Sequence, residues 1–173
     1  DGQFQAAGFS ANQIHEIHGS IHLMQCLKHC TDEVWSAEGF QPEIDSASCR
    51  ITSALPRCPH CNQLARPNIL MFDDGSWNNR RSAQQKSAQD AWLRKVADAS
   101  ASIAVVEIGA GTAILSVRHF SHQQVRERGA KLVRINPREF VVPDVRSVGL
   151  SVGSQEALLS IDSCKQRLPR NAI

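Results

Sequence analysis

A chain of 173 residues with 42% hydrophobic content suits one ordinary packed domain, or a domain with a small appended module. Its formal charge of +2 offers no electrostatic case for nucleic acid or an anionic membrane. No apolar run approaches the roughly 20 residues that span a bilayer, and "DGQFQAAGF" at the start lacks the basic and apolar regions of a secretory leader, so none is expected.

Residues 1–23 are mixed in character. "IHEIHGSIH", 14–22, packs three histidines into nine positions. A helix would bring His15, His18 and His22 to one face, but Gly19 weakens any helix there. The residues alone leave three readings open: metal ligands, a catalytic base, or ordinary imidazoles. The spacing is not the H-E-x-x-H of a zinc protease.

Residues 24–67 hold the paired cysteines and little periodicity. "CLKHC" spans 26–30 and "CPHC" spans 58–61, and the polar loop "SAEGFQPEIDSAS" lies between them. A segment so poor in apolar residues needs a staple. Two short-spaced pairs can supply four thiolates to one tetrahedral zinc, a closed and therefore structural site: Cys26, Cys30, Cys58 and Cys61. His29, at CxxH spacing from Cys26, is a variant ligand in place of Cys30. Reduced core cysteines without metal are the plainer alternative. A redox role for "CPHC" would need the motif to follow a strand and open a helix, which the residues do not suggest. Cys49 and Cys164 stand apart from the cluster. This cysteine usage fits a reducing, cytoplasmic setting better than a secreted disulfide framework.

From Ser76 to Ser100 the pattern turns helical, with Ala88, Trp92, Val96 and Ala99 on one face. The helix also carries Arg80, Arg81, Lys86, Arg94 and Lys95. Without interleaved aromatics they read as a solvated surface, and nucleic acid is not an expected partner. "SIAVVEI", 102–108, suits a buried strand. "SHQQVRERG", 121–129, has a capping-box start and a glycine stop, and predicts a helix. "AKLVRINP", 130–137, predicts a second buried strand ended by Pro137. Ala157, Ile161, Cys164 and Leu168 predict a final amphipathic helix. Strand, turn, helix, strand, helix is a βαβ pattern and implies a parallel sheet.

"GAGT", 109–112, sits where the first strand ends. Small residues there let backbone N–H groups approach a ligand, though such turns also serve as plain connections. The third glycine of the dinucleotide fingerprint is absent, because "TAIL", 112–115, follows Gly111. Asn136 ends the second strand at the edge where open α/β sheets bind ligands, and it can both donate to and accept from a ribose hydroxyl.

In order along the chain, "DG" with "AGF", "EIHGSIH", the two cysteine pairs, "ARPNILMF", the "GT" turn and "INP" resemble the sirtuins, the NAD-dependent protein lysine deacylases. The resemblance runs from Asp1 to about Pro137. It implies an α/β fold, a partial Rossmann-like parallel sheet with helices plus a small zinc-ribbon-like module. The divisions expected are 1–23 for the catalytic histidine segment, 24–67 for the zinc module and 68–173 for the C-terminal half of the NAD-binding domain. It also implies that His18 is the general base, that Asp1 lines the nicotinamide pocket, that Gly111, Thr112 and Asn136 contact NAD, and that the four cysteines hold structural zinc. Residues 66–75 would receive an acyl-lysine peptide by strand addition. The implied products are free lysine, nicotinamide and O-acyl-ADP-ribose.

The sequence also departs from the family pattern. The N-terminal Rossmann strand and its phosphate-binding glycine loop are missing. The family's F-G-E reads "FDD" at 72–74, and its G-T-S reads "GTA". "IGAGTAILSVRHF", 108–120, carries an extra segment. The chain reads as a fragment and is not expected to turn over alone. A sirtuin-like ADP-ribosyltransferase or NAD hydrolase, and a non-catalytic zinc-binding interaction module, are the competing expectations.

Overall fold

A computed structural model describes residues 1–167 and divides the chain into two compact units, Asp1–Lys95 and the residues from Val96 onward. The first unit opens with one helical turn, α1 (Gln3–Ala6). Its centre is β1 (Gly19–Cys26), flanked on both sides by antiparallel partners, β2 (Val34–Ser36) and β5 (Ala65–Ile69). A small hairpin of β3 (Ile44–Asp45) and β4 (Arg50–Ile51) stands between them in sequence. The unit closes with α2 (Arg80–Asp98), whose last turn begins the second unit.

The three histidines do not share a helical face. His15 and His18 precede β1, and His22 is exposed on it. The strand escapes a period-two reading for two reasons. A register shift lies between Ser20 and Met24 in its pairing with β5, and several of its buried residues are polar, including Ser20 and Gln25. Gln25 is balanced by Asn68 on β5, which donates its amide to Gln25 Oε1 at 2.8 Å, while Gln25 donates to the Ser76 carbonyl at 2.8 Å. Such burial is tolerable only because each polar group finds a partner.

Helix α2 turns a different face inward from the one its apolar residues predict. Trp92 is 57% exposed, and Ala88 and Ala99 are exposed as well. Ser82 and Leu93 are buried instead, with Gln85 and Gln89 half-buried along the same stripe. The polar residues face inward because their partners, His15 and Glu16, are themselves polar.

The second unit is a parallel sheet in the order β6-β7-β8, built from β6 (Ala104–Ile108), α3 (Ser116–Arg128), β7 (Lys131–Ile135), β8 (Val148–Leu150) and α4 (Ser154–Arg167). Val106 pairs with Val133 and Ile135 with Leu150, both in parallel register. The expected βαβ unit is therefore present, and α3 packs on β6 and β7. Central β7 is buried as expected, with Leu132, Arg134 and Ile135 almost fully enclosed. Strand β6 is not: Val106 and Ile108 are 56% and 44% exposed, because β6 lies at the sheet edge.

Helix α3 starts five residues before the serine expected to cap it. Ser121 is inside the helix, donating its hydroxyl to the Val117 carbonyl at 3.1 Å. The stop is as expected: Gly129 is left-handed at φ 63°, and Ala130 N–H donates to Gln124 O. Strand β8 escapes the sequence reading because it is three residues long. On α4 only Ala157 is buried, while Ile161 and Cys164 are exposed, and Leu168 lies outside the described residues.

Candidate functional site

The two cysteine turns are built alike. In each, a non-glycine residue takes a left-handed conformation beside the second cysteine: His29 at φ 51° and Asn62 at φ 56°. His29 N–H donates to Cys26 O, and Asn62 N–H to Cys58 O. These reversals bring all four sulfurs within 4.8 Å of one another. Cys26 and Cys61 are 3.7 Å apart at Sγ, and Cys30 and Cys58 are 3.5 Å apart. A tetrahedron of Zn–S bonds near 2.3 Å places sulfurs about 3.8 Å apart, so the cluster fits zinc. It does not fit disulfides, whose sulfurs bond at about 2.05 Å. Cys30, not His29, completes the set, and Cys49 and Cys164 lie outside it.

Hydrogen bonds within the cluster also shift the two thiols of the first turn apart. The Cys30 backbone N–H holds the Cys26 thiol down to about 6, against the effect of burial. Hydrogen bonding with the Cys61 side chain, then burial, pushes Cys30 up from the ordinary thiol range. Four crowded sulfurs resist shared ionisation unless a cation neutralises them.

His18 is half-buried, and its backbone is fixed on both sides. Leu70 N–H donates to the His18 carbonyl at 3.0 Å, and Gly19 N–H closes a turn to Glu16 O at 3.0 Å. Gly19 is left-handed at φ 79°, and a Cβ there would lie 2.0 Å from the Asn68 carbonyl oxygen. The glycine thus serves close packing on β5. Asp1 is exposed and accepts from the Ile21 N–H at 2.6 Å through its carboxylate, capping the outer part of β1.

The stretch 66–75 continues from β5 into a loop that an ion pair organises. Arg66 pairs with Asp74 through both nitrogens of its fork and donates to the Ile69 carbonyl at 2.6 Å. Asp74 also accepts from Ser76 and from Met71 N–H. The Arg66 guanidinium holds the Asp74 carboxyl far below the usual carboxylate range. The acid of the unusual "FDD" is therefore a loop clamp, while Met71 and Phe72 are 61% and 83% exposed.

In the second unit, Gly109, Gly111, Thr112, Asn136, Arg138 and Glu139 line a cleft of about 540 Å³ at the C-terminal edge of the parallel strands. Of the residues expected to contact NAD, Gly111, Thr112 and Asn136 line this cleft while Asp1 does not, and the polar side-chain atoms of Thr112 and Asn136 are engaged within the protein. Thr112 donates its N–H and its hydroxyl to the Glu139 carboxylate, at 2.9 and 2.5 Å. Asn136 donates to Ala110 O and accepts from the N–H groups of Arg138 and Glu139. Thr112 holds the Glu139 carboxyl below its ordinary value. An ionised carboxylate in the cleft accepts from sugar hydroxyls and repels phosphate. Arg118, 6% exposed, braces the turn from behind by donating twice to Ala110 O, and pairs with Glu139 at 3.6 Å. Glu139 and Arg118 escape the sequence reading. The one available signal is a charged residue just past a strand's C-terminal end.

Comparison with known proteins gives a consistent picture. The sequence profile described as the Sir2 family matches residues 1–104, more than half of the chain. A curated protein of Fusarium oxysporum f. sp. cubense, named a probable bifunctional ADP-ribose hydrolase/ADP-ribosyltransferase, is 27% identical over 164 residues, covering 87% of this chain and 27% of the relative. Among solved structures, one described as the structural basis for sirtuin substrate affinity matches at TM-score 0.62 and 22% identity, covering 95% of this chain and 61% of its own. Sir2Tm bound to a propionylated peptide matches at TM-score 0.62 and 22% identity, covering 95% and 60%. A Sir2–p53 peptide–NAD+ complex matches at TM-score 0.62 and 21% identity, also covering 95% and 60%. The chain therefore spans about a quarter of the curated relative and three fifths of the solved chains.

Proposed function

Since the chain belongs to the Sir2 family, we propose that it is part of an NAD-dependent protein lysine deacylase in which His18 is the general base. The observation that carries this reading is the joining of two segments. The His18 carbonyl accepts from Leu70 N–H, and Gly19 is pressed onto Asn68, so the imidazole segment and the stretch 66–75 form one ladder. An acylated peptide lying along 70–75 would thus be registered against His18. When bound, NAD supplies a ribose carbon carrying nicotinamide as leaving group. The role of His18 is to take a proton from a ribose hydroxyl, the general-base task that imidazole side chains most often perform. Gly111, Thr112, Asn136 and Glu139 would hold the sugar portion of the dinucleotide. Cys26, Cys30, Cys58 and Cys61 would hold a structural zinc with no open coordination position.

The test is nicotinamide release by the native polypeptide that carries these residues, with and without an acyl-lysine peptide. Release that requires the peptide and disappears in His18→Ala supports the reading. Undiminished turnover in that variant removes His18 from the role.

The name of the fungal relative favours a second reading, ADP-ribosyl transfer or NAD hydrolysis on the same scaffold. The altered "FDD" is compatible with it. Nicotinamide release that persists without the acyl-lysine peptide would select it.

A further inference from the structure

Helix α2 spends its inward stripe on polar contacts to the residues just before His18. Gln89 Oε1 is 3.0 Å from His15 Nδ1, and Ser82 Oγ is hydrogen-bonded with His15 Nε2 at 3.3 Å. Gln85 Oε1 accepts from the Glu16 backbone N–H at 3.0 Å. The Arg81 guanidinium pairs with the Glu16 carboxylate, which also accepts from the Gln5 amide at 3.1 Å. Residues 81/82, 85 and 89 follow helical spacing along one face. Both nitrogens of His15 are engaged by side chains of α2, which leaves neither for a metal ion.

A helix that served only to cover the unit would place apolar residues on this face. Instead the contacts are directional, and they end two residues before His18. The turn from Gly19 N–H to Glu16 O transmits them directly, because the held residue is itself the acceptor of that turn. On the far side Leu70 and Asn68 fix His18 and Gly19 against β5. His18 therefore lies between two held points: Leu70, just past β5, on its own carbonyl, and Glu16, which side chains of α2 hold two residues earlier.

We propose that Gln85, Gln89, Ser82 and Arg81 are positioning residues for His18, setting the placement of the base rather than binding a substrate. This rests on the reading of His18 as the base. Proton transfer is sensitive to such placement, since a displacement of about 1 Å can cost on the order of 100-fold in rate.

The test uses the native polypeptide and near-isosteric replacements that remove the acceptors without leaving a cavity. In Gln85→Leu/Gln89→Leu, kcat for peptide-dependent nicotinamide release should fall about tenfold or more, with KM for NAD and for peptide changed by less than about twofold. Gln89→Glu, which keeps an acceptor for His15 Nδ1, should retain most of the kcat that Gln89→Leu loses. If the double variant does not fold, the two single variants carry the same comparison. Unchanged kcat, or Gln89→Glu no better than Gln89→Leu, would overturn the proposal while leaving His18 in its role. A wild-type protein that releases no nicotinamide removes the underlying reading, and the proposal with it.

Discussion

Gly19 and Asn68 approach so closely that no side chain fits between them: a Cβ on Gly19 would lie 2.0 Å from the Asn68 carbonyl oxygen. The contact is backbone on both sides, so relief requires the strands to part. Gly19→Ala combines this clash with a left-handed residue at φ 79°. It should cost about 2–4 kcal/mol of stability, read by urea denaturation. Peptide-dependent turnover should be lost with it. A loss under about 0.5 kcal/mol would mean that the strands are free to separate there.

The cysteine cluster predicts metal content. Elemental analysis of the purified protein should find about one zinc per chain. Cys58→Ser, at a fully enclosed position, should hold close to none, while Cys49→Ser and Cys164→Ser should keep it. Chelation should lose the ordered structure of the first unit, because binding energy at such sites is folding energy.

The second unit has a buried charge network of its own. Arg134 donates to Glu107 from Nε and Nη2 at 2.5 and 3.1 Å, and to the Val141 carbonyl. Both members of the pair are essentially inaccessible. Burial raises the Glu107 carboxyl, but the hydrogen bonds from Arg134 and Ser121 and the arginine charges nearby together outweigh it, and the net shift is downward. Glu107→Gln removes the compensating charge and should cost about 3–5 kcal/mol by urea denaturation.

His122 accepts from Arg134 Nη2 at 2.9 Å and must be neutral to do so. Burial, then the Arg134 cation, lowers its affinity for protons, with Arg118 and His119 adding to this and Glu107 opposing it. The folded state therefore binds fewer protons than the unfolded chain below pH ~6.5, where free histidine titrates. Stability should fall as pH drops through that value, down to the lower folded pKa. Denaturation midpoints between pH 8 and 5 should show this slope, and His122→Gln should flatten it. Asp74 behaves differently. Its depressed pKa gives stability that is present above pH ~3.9 and lost only in stronger acid.

Glu139 occupies both donors of Thr112, and this can be read by hydrogen exchange. Glu139→Ala should speed exchange of the Thr112 amide by about tenfold, as expected for a lost hydrogen bond to an ionised acceptor. No change would show that the turn holds its shape without the carboxylate.

What the sequence revealed of this fold follows from how local each signal is. The β6–α3–β7 unit and the cysteine pairs are legible because a short apolar run, a glycine stop and a two-to-four-residue spacing need no knowledge of distant residues. Sheet β2–β1–β5 is not, because its interior uses Ser20, Gln25 and Asn68, whose burial makes sense only once they meet. The buried face of α2 was hidden for the same reason: Gln85 and Gln89 look like solvent residues until His15 and Glu16 are placed. Arg118 and Glu139 belong to a turn bridged across 27 residues, which neither period nor spacing records.

Cys26 is both the final residue of β1 and the first sulfur of the cluster, while Gly19 begins the same strand. Eight residues of continuous backbone, about 25 Å at strand rise, run from the cysteine cluster to the segment that follows His18. Oxidising the sulfurs would therefore release one end of the strand whose other end is pinned at Gly19 against Asn68.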